Sequence, residues 1–304
     1  MSEFFEPLSE ELSEVIRKKC NEDPSLVENQ VELFREWLNT EKCLAKNFDD
    51  NVLRNFVRHC KYDLEAAKKK FELYIVNRAK FETFVAKYNF NEEYFGNMVH
   101  RCVSISRYLT PEGYRVGFLR LPEDVVKFDF EKLTHYTLTL LDVLATCDSC
   151  AGYKAIYDFQ NVTTKILGEI NVKLLMGVLH LVFNIEPLHI EAIHFINLPG
   201  IPEKILSMLK KLIKIGIVEK IFVHKSLTEL KEHFPDSVLP KEYGGSAGSI
   251  EEFCETAKNV LLDQDESYRK ATDLAYTGPV SQELHDLYGL DDHQRSSLKD
   301  LVID

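Results

Sequence analysis

The order of elements predicts an α/β protein: an N-terminal all-helical subdomain, then a mixed, mostly parallel β-sheet covered by helices. Three observations carry that expectation. Apolar residues recur at helical spacing through residues 1–90. Beyond them, short β-branched and aromatic runs alternate with longer apolar helical patterns, as parallel strands joined by crossover helices require. The chain has 304 residues, 45% of them hydrophobic, with 13 Tyr and 19 Phe, enough for an extended packed core.

The helical third is punctuated by caps. Ser9 precedes Leu12, Val15 and Ile16. Asp23-Pro24 is placed to open a second helix carrying Val27, Val31, Phe34, Trp37 and Leu38, with proline in its first turn. Asp49 and Asp50 cap a third helix with Val52, Leu53, Phe56 and Val57, and Asp63 starts a fourth running through Phe71, Tyr74 and Ala79. Lys68-Lys69-Lys70 on that helix reads as a solvated face.

After the turn Pro111-Glu112-Gly113, Tyr114 to Leu121 has strand character, and Gly152 to Phe159 is a second strand. Glu131 to Thr146 between them is helical. Leu174 to Phe183 is a helix too apolar for a surface position. Two further strand runs, Ile190 to Asn197 and Lys220 to His224, flank a helix candidate, and a last helix covers Ile250 to about Gln264. The tail beyond it is polar and acidic.

The net charge of −12 argues against nucleic acid as the main partner, because phosphate binding needs a cationic face. No run reaches about 18 consecutive apolar residues, so no membrane-spanning helix is expected. Seven scattered cysteines and an opening of Met1-Ser2-Glu3-Phe4-Phe5-Glu6 without secretory features predict reduced thiols and a cytoplasmic protein. Gly244-Gly245-Ser246-Ala247-Gly248 fits the spacing of a serine-hydrolase elbow, which needs a core strand feeding the turn. Pro240 and Lys241 just before it break any such strand, so a flexible turn leading to a helix capped near Ser249 is expected. Cys147-Asp148-Ser149-Cys150 lies after a helix, where no helix dipole activates a thiol, and it lacks two further ligands for zinc. No catalytic residue, metal or cofactor is expected. His180, His189 and His194 read as packed histidines.

The stretch 201–214 differs from all of these. At about 100° per residue, Ile201, Ile205, Met208, Leu209, Leu212 and Ile213 share one broad face. Lys204, Lys210, Lys211 and Lys214 take the opposite arc. From 201 to 225 six lysines face two glutamates, a local excess of four positive charges in an acidic chain. A greasy helix of this kind between two strands suits a movable lid, its lysines drawn to the phosphates of an anionic membrane.

Several of these segments resemble the CRAL-TRIO lipid-binding family. The region around Asn51-Val52-Leu53-Arg54-Asn55-Phe56-Val57-Arg58 is similar to the helices that precede such domains. Tyr114 to Leu121, Gly152 to Asp158, Ile193 to Asn197, His233-Phe234-Pro235 and Leu239 to Gly245 resemble the domain's signature segments, in order. The likeness runs from about residue 8 to 264 and is nearest the tocopherol- and retinaldehyde-carrying members. It implies a helical domain at 1–90, a lipid-binding domain at 91–250 and a C-terminal helix and tail at 251–304. It implies an apolar pocket closed by a gate helix at 201–214. It also implies a non-enzymatic role, the binding of one small hydrophobic molecule and its transfer between membranes.

Carried over position by position, the resemblance implies pocket walls at His135, Thr139, Tyr153, Tyr157, Val178, Val182, Leu188, Ile190 and Ile193, with Ile205 and Met208 on the gate. Ile201, Leu209, Leu212, Lys210, Lys211, Lys214 and Lys220 form the expected membrane contact. Family members that bind phosphoinositides use basic side chains where this chain has Glu191 and Gly216, and only Lys220 is kept. A carboxylate repels phosphate, which argues against phosphoinositide coupling. The second reading is a regulatory module whose lipid occupancy is reported to a protein partner through the tail from Gln264 to Asp304. Tocopherol, retinoid, isoprenoid and phospholipid cargoes are all compatible with the sequence.

Overall fold

Side-chain caps set where the first helices begin. In this computed structural model, residues 4–44, 46, 48–81, 95, 99–125, 127–198, 220–263, 276–282 and 284 are described. Helix α1 (Glu10–Cys20) starts where Ser9 accepts the amide of Leu12. Asp49 caps α3 (Asp50–His59) and Asp63 caps α4 (Leu64–Lys80) in the same way. Helix α2 differs from the sequence reading. It spans Val27–Thr40 and has no side-chain cap, because Asp23 is engaged by the amide and hydroxyl of Ser25 in the preceding turn. An aromatic cluster joins α2, α3 and α4. Phe71 meets Phe34, Phe48 and Phe56 edge-on, at 5.4, 4.9 and 5.0 Å between ring centres. Lys70 on α4 is half-buried and its ammonium pKa is lowered by burial, so the lysine run is only partly a solvated face.

Five strands form one sheet in chain order: β1 (Val103–Leu109), β2 (Tyr114–Arg120), β3 (Gly152–Asp158), β4 (Ile190–Ile196) and β5 (Ile221–Val223). β2 to β5 are parallel, and β1 pairs antiparallel with β2. The sequence reading lacked β1. Its turn to β2 is closed by the Gly113 amide on the Thr110 carbonyl, with Gly113 at φ +85°, a conformation that favours glycine.

Both faces of the sheet are covered, as parallel strands require. On one face, Val116, Phe118, Ile156 and Ile196 pack beneath α8 (Leu227–Lys231), Tyr243 and Phe253 of α9 (Ile250–Asp263). On the other lie α5 (Phe130–Cys147), α6 (Thr164–Glu169) and α7 (Val172–His180), the last running into a π-turn at Leu181–Ile185. This last helix is less enclosed than its composition suggests, with Met176 exposed and Val178 half-buried.

The helical region is bound to the sheet region by core packing and by buried charge. Leu138, Leu174, Leu181 and Ile185 share a cluster with Phe34, Phe56 and Phe71. Arg78 of α4, 4% exposed, reaches Asp142 on α5 and Glu186 after the π-turn, each at 2.5 Å, and stacks on Tyr74. The amide of Asn55 donates to the Ala145 carbonyl. Part of the C-terminal tail packs here too: Tyr276 bridges to Leu44, and the Thr277 amide donates to the Cys43 carbonyl at 3.2 Å. Tyr276, Val280 and Leu284 rest on the same cluster.

Two carboxylates share one guanidinium here, which yields two predictions. Arg78→Leu strands both carboxylates without a countercharge and is expected to lower unfolding free energy by about 3–5 kcal/mol in urea. Burial, with Asp142 adding repulsion against the attraction of Arg78, pushes the Glu186 carboxyl up to about 7. The native state then holds a proton that the unfolded chain releases above its ordinary carboxylate range, about 4.3. Stability should therefore fall as pH rises from about 4.5 to 7, and Glu186→Gln should flatten that slope in urea titrations.

Candidate functional site

One face of the sheet is imperfectly filled, and the gap there is a cavity of about 200 Å³. Its floor is Tyr157, Ile193 and Phe195, side chains that alternation directs to the same face. Helix α5 and the turn before it contribute Phe128, Phe130, Leu133, Thr134 and Thr137. Helix α6 adds Ile166 and Leu167, and α7 adds Leu175, Val178 and Leu179. No lysine or arginine lines it among the described residues.

Four polar groups reach this wall, and they are not equivalent. Asp158 is occupied: it accepts from Tyr243 Oη at 2.8 Å, Asn197 Nδ2 at 2.8 Å and the Gln160 amide at 2.9 Å. Thr137 donates to the Leu133 carbonyl at 2.8 Å, the ordinary back-bond of a helical threonine. The hydroxyls of Thr134 and Tyr157 have no hydrogen-bond partner among the described residues. Burial raises the pKa of the Tyr157 phenol, so it stays a neutral donor and acceptor.

Of the expected wall residues, Tyr157, Val178 and Ile193 come together around the cavity. His135 and Thr139 are buried one residue further round α5, with Thr139 donating to the His135 carbonyl at 2.8 Å. Thr134 and Thr137 instead form the stripe that faces the opening, and an i, i+3 pair of threonines was the sequence signal for it. Tyr153 points along the same strand face but donates to Asp148 at 3.0 Å. Leu188 and Ile190 pack in the core beside it, and Val182 packs toward the helical region. Ile201, Ile205, Met208, Leu209, Lys210, Lys211, Leu212 and Lys214 lie outside the described residues.

Asp148 belongs to a second buried pair. Arg115 holds it with two bonds, at 2.7 and 2.8 Å, and also donates to the carbonyls of Ser106 and Arg107. Against the opposing effect of burial, Arg115 keeps the Asp148 carboxyl below its usual range. Burial and then Asp148 push the Cys147 thiol up to about 12, the reverse of an activated cysteine. Ser246 donates to the Asp236 carbonyl at 3.3 Å, and the residues before it form a 3₁₀ turn, Lys241–Tyr243, where a hydrolase elbow needs a strand. Lys220 and His189 both meet Glu191, at 3.4 and 3.0 Å, so this carboxylate already pairs the Lys220 ammonium, while burial lowers the His189 pKa and favours its neutral ring. Among the described residues no group of three or more His, Cys, Asp or Glu is arranged to hold a metal, and no helix is long and apolar enough to cross a membrane.

An α/β protein with a hydroxyl-bearing apolar cavity beside its sheet has the form of a small-molecule binding domain. Residues 100–245 match the family profile described as CRAL/TRIO domain, and residues 23–95 match one described as Pinta-like, UBA domain. Curated relatives named alpha-tocopherol transfer protein-like, from Homo sapiens and Mus musculus, are 27% identical over 281 residues. The alignments cover 86% of this chain and 78% and 77% of those proteins. A solved chain titled "Crystal structure of Sfh5" aligns with TM-score 0.44 and 14% identity, covering 86% of this chain and all of that one. Residues 100–245 thus carry a CRAL/TRIO domain by that match.

Asp158 anchors the C-terminal end of β3 at the rim of the cavity. Replacing it by Ala leaves Tyr243, Asn197 and the Gln160 amide without their acceptor. The expected loss is about 3 kcal/mol in chemical denaturation, against about 1 kcal/mol for Tyr243→Phe.

Proposed function

We propose that this protein binds one small, neutral, largely apolar molecule in the cavity beside Tyr157 and carries it between membranes. The observation that carries the reading is the cavity's lining: apolar walls, two unpartnered hydroxyls and no cation among the described residues. An apolar body is held by burial, at about 25 cal/mol per Å². A hydroxyl or carbonyl on the ligand completes the bonds that Thr134 and Tyr157 lack. A carboxylate or phosphate finds no countercharge there, so an alcohol- or carbonyl-bearing isoprenoid suits the lining better than a phospholipid. The names of the relatives agree with this class of cargo. A slow release into water follows from the same burial. Docking of the 201–214 segment on an anionic bilayer, through Lys210, Lys211 and Lys214, provides the apolar surface into which the cargo leaves.

The second reading, a module whose lipid occupancy is sensed by a protein partner, is favoured by the UBA-type profile over residues 23–95. The segment beyond residue 284 separates the two. Truncation after Leu284 keeps Tyr276, Val280 and Leu284 and leaves transfer intact in the first reading, while it abolishes partner capture in the second.

Organic extraction of the purified protein followed by mass spectrometry identifies the cargo, and recovery of phospholipid alone would overturn the neutral-ligand reading. Thr134→Val with Tyr157→Phe is expected to weaken an alcohol ligand by about ten-fold per lost bond while sparing its deoxy analogue. Charge reversal of Lys210, Lys211 and Lys214 to Glu is expected to slow transfer to anionic vesicles and leave transfer to neutral vesicles unchanged.

A further inference from the structure

We propose that His194, His224 and His233 form a proton-operated latch that fastens β5 to the sheet and releases it on acidification. The strand needs a fastener. β5 pairs with β4 at only three positions, Ile193 with Ile221, His194 with Phe222 and Phe195 with Val223, and all three of its residues are half-buried. His224 extends it by one step, its amide donating to the Phe195 carbonyl at 2.9 Å.

The fastener is a bond between imidazoles. His194 Nδ1 and His224 Nε2 are 2.9 Å apart with ring planes 6° from parallel. His233 closes the group edge-on, its ring centre 5.2 Å from His194 and 5.0 Å from His224. Phe222 stacks on His194 at 4.9 Å, and Phe234 meets it edge-on at 4.6 Å. One N–H and one bare nitrogen make that bond, so two imidazolium rings cannot make it. The His194 ring is buried, and its Nε2 has no hydrogen-bond partner among the described residues.

The surrounding charges set which ring resists a proton. Lys154, projecting from β3 over the rings of Tyr114 and Phe234, opposes charge on His194, as do His224 and His233. Glu229 and Glu232 favour charge on His224, although Glu229 also accepts the amide of Lys225 at 2.8 Å. Burial, then His224, His233 and Lys154, hold His194 down to about 3. Burial and His233 likewise lower His224. Both rings thus resist a proton while the strand is closed, and both regain an ordinary histidine pKa of about 6.5 when it opens. Opening takes up protons, so closure holds above about pH 6.5 and weakens below it, by up to about ten-fold per pH unit for each histidine. The inference stands independently of what the cavity binds.

Hydrogen exchange on the full-length protein tests it, with rates corrected for intrinsic pH dependence. Between about pH 7.5 and 5.5, the opening equilibrium of amides 221–224 is expected to rise by at least about ten-fold, the share of His194, with a further rise from His224, while amides of β3 do not change. The rise should shrink by about ten-fold in His194→Phe and vanish in the His194→Phe, His224→Phe double variant. A wild-type rise below about three-fold, or a double variant that keeps the full rise, overturns the latch. Should the double variant fail to fold, ring titration of the wild type by NMR decides: a folded His194 that protonates near about 6.5 refutes it, and one that stays neutral to about pH 5 supports it.

Discussion

The constraint on which this structure depends is that a parallel sheet cannot leave a face in water. Each of β2 to β5 carries apolar side chains to both sides, so helices must close over both. On the side of Phe118 and Tyr243 the closure is complete: rings, a 3₁₀ turn and α9 fill the space. On the side of Tyr157 it is not. There α5, α6 and α7 stand far enough from the strands to leave the cavity, and the same rule that drives helices onto the sheet makes that space apolar.

An apolar gap beside the sheet demands rigidity elsewhere, and the buried charges supply it. Arg78 ties α4 to α5 and to the end of the π-turn; Arg115 ties β2 to the loop after α5. Both arginines therefore hold α5, Arg78 within the helix at Asp142 and Arg115 just past its end at Asp148, and α5 is the wall that presents Thr134. Neither pair is strong evidence of net stability, since removing two charges from water costs as much as their attraction returns. Their effect is positional: a two-pronged guanidinium accepts only one arrangement of its partners. That fixes the rotation of α5 and hence which threonines face the opening.

Much of this was legible in the sequence because it is local. Caps at Ser9, Asp49 and Asp63 act within four residues, and the strand runs at 114, 152 and 190 announce themselves by composition. What escaped the sequence is set by contacts far apart along the chain. Val103 to Leu109 alternates with serines that look solvent-facing, yet Ser104 and Ser106 are buried. Arg115 reads as a surface charge until Asp148 is seen beside it. The choice between Thr134 and His135 is one of about 100° of helix rotation, which the apolar pattern of α5 does not resolve because that helix is buried on most of its circumference. Asp23 misleads for the opposite reason: its carboxylate satisfies a nearer amide, and the helix starts later.

The cavity's size also bears on how a cargo could leave it. An enclosed apolar void costs about 24 cal/mol per Å³, so a partly open space of roughly 200 Å³ corresponds to at most about 5 kcal/mol. A neutral molecule that fills the space recovers much of that cost in addition to its own transfer from water. Release into solvent surrenders both contributions, whereas release into a bilayer surrenders only the first. Direction then depends on the acceptor, and a carrier of this design needs no chemical step to deliver its cargo, only a surface that solvates the ligand while the void collapses or refills. The unpartnered hydroxyls refine the selection: they add little to the affinity of a pure hydrocarbon, and they penalise an ion that the lining cannot neutralise.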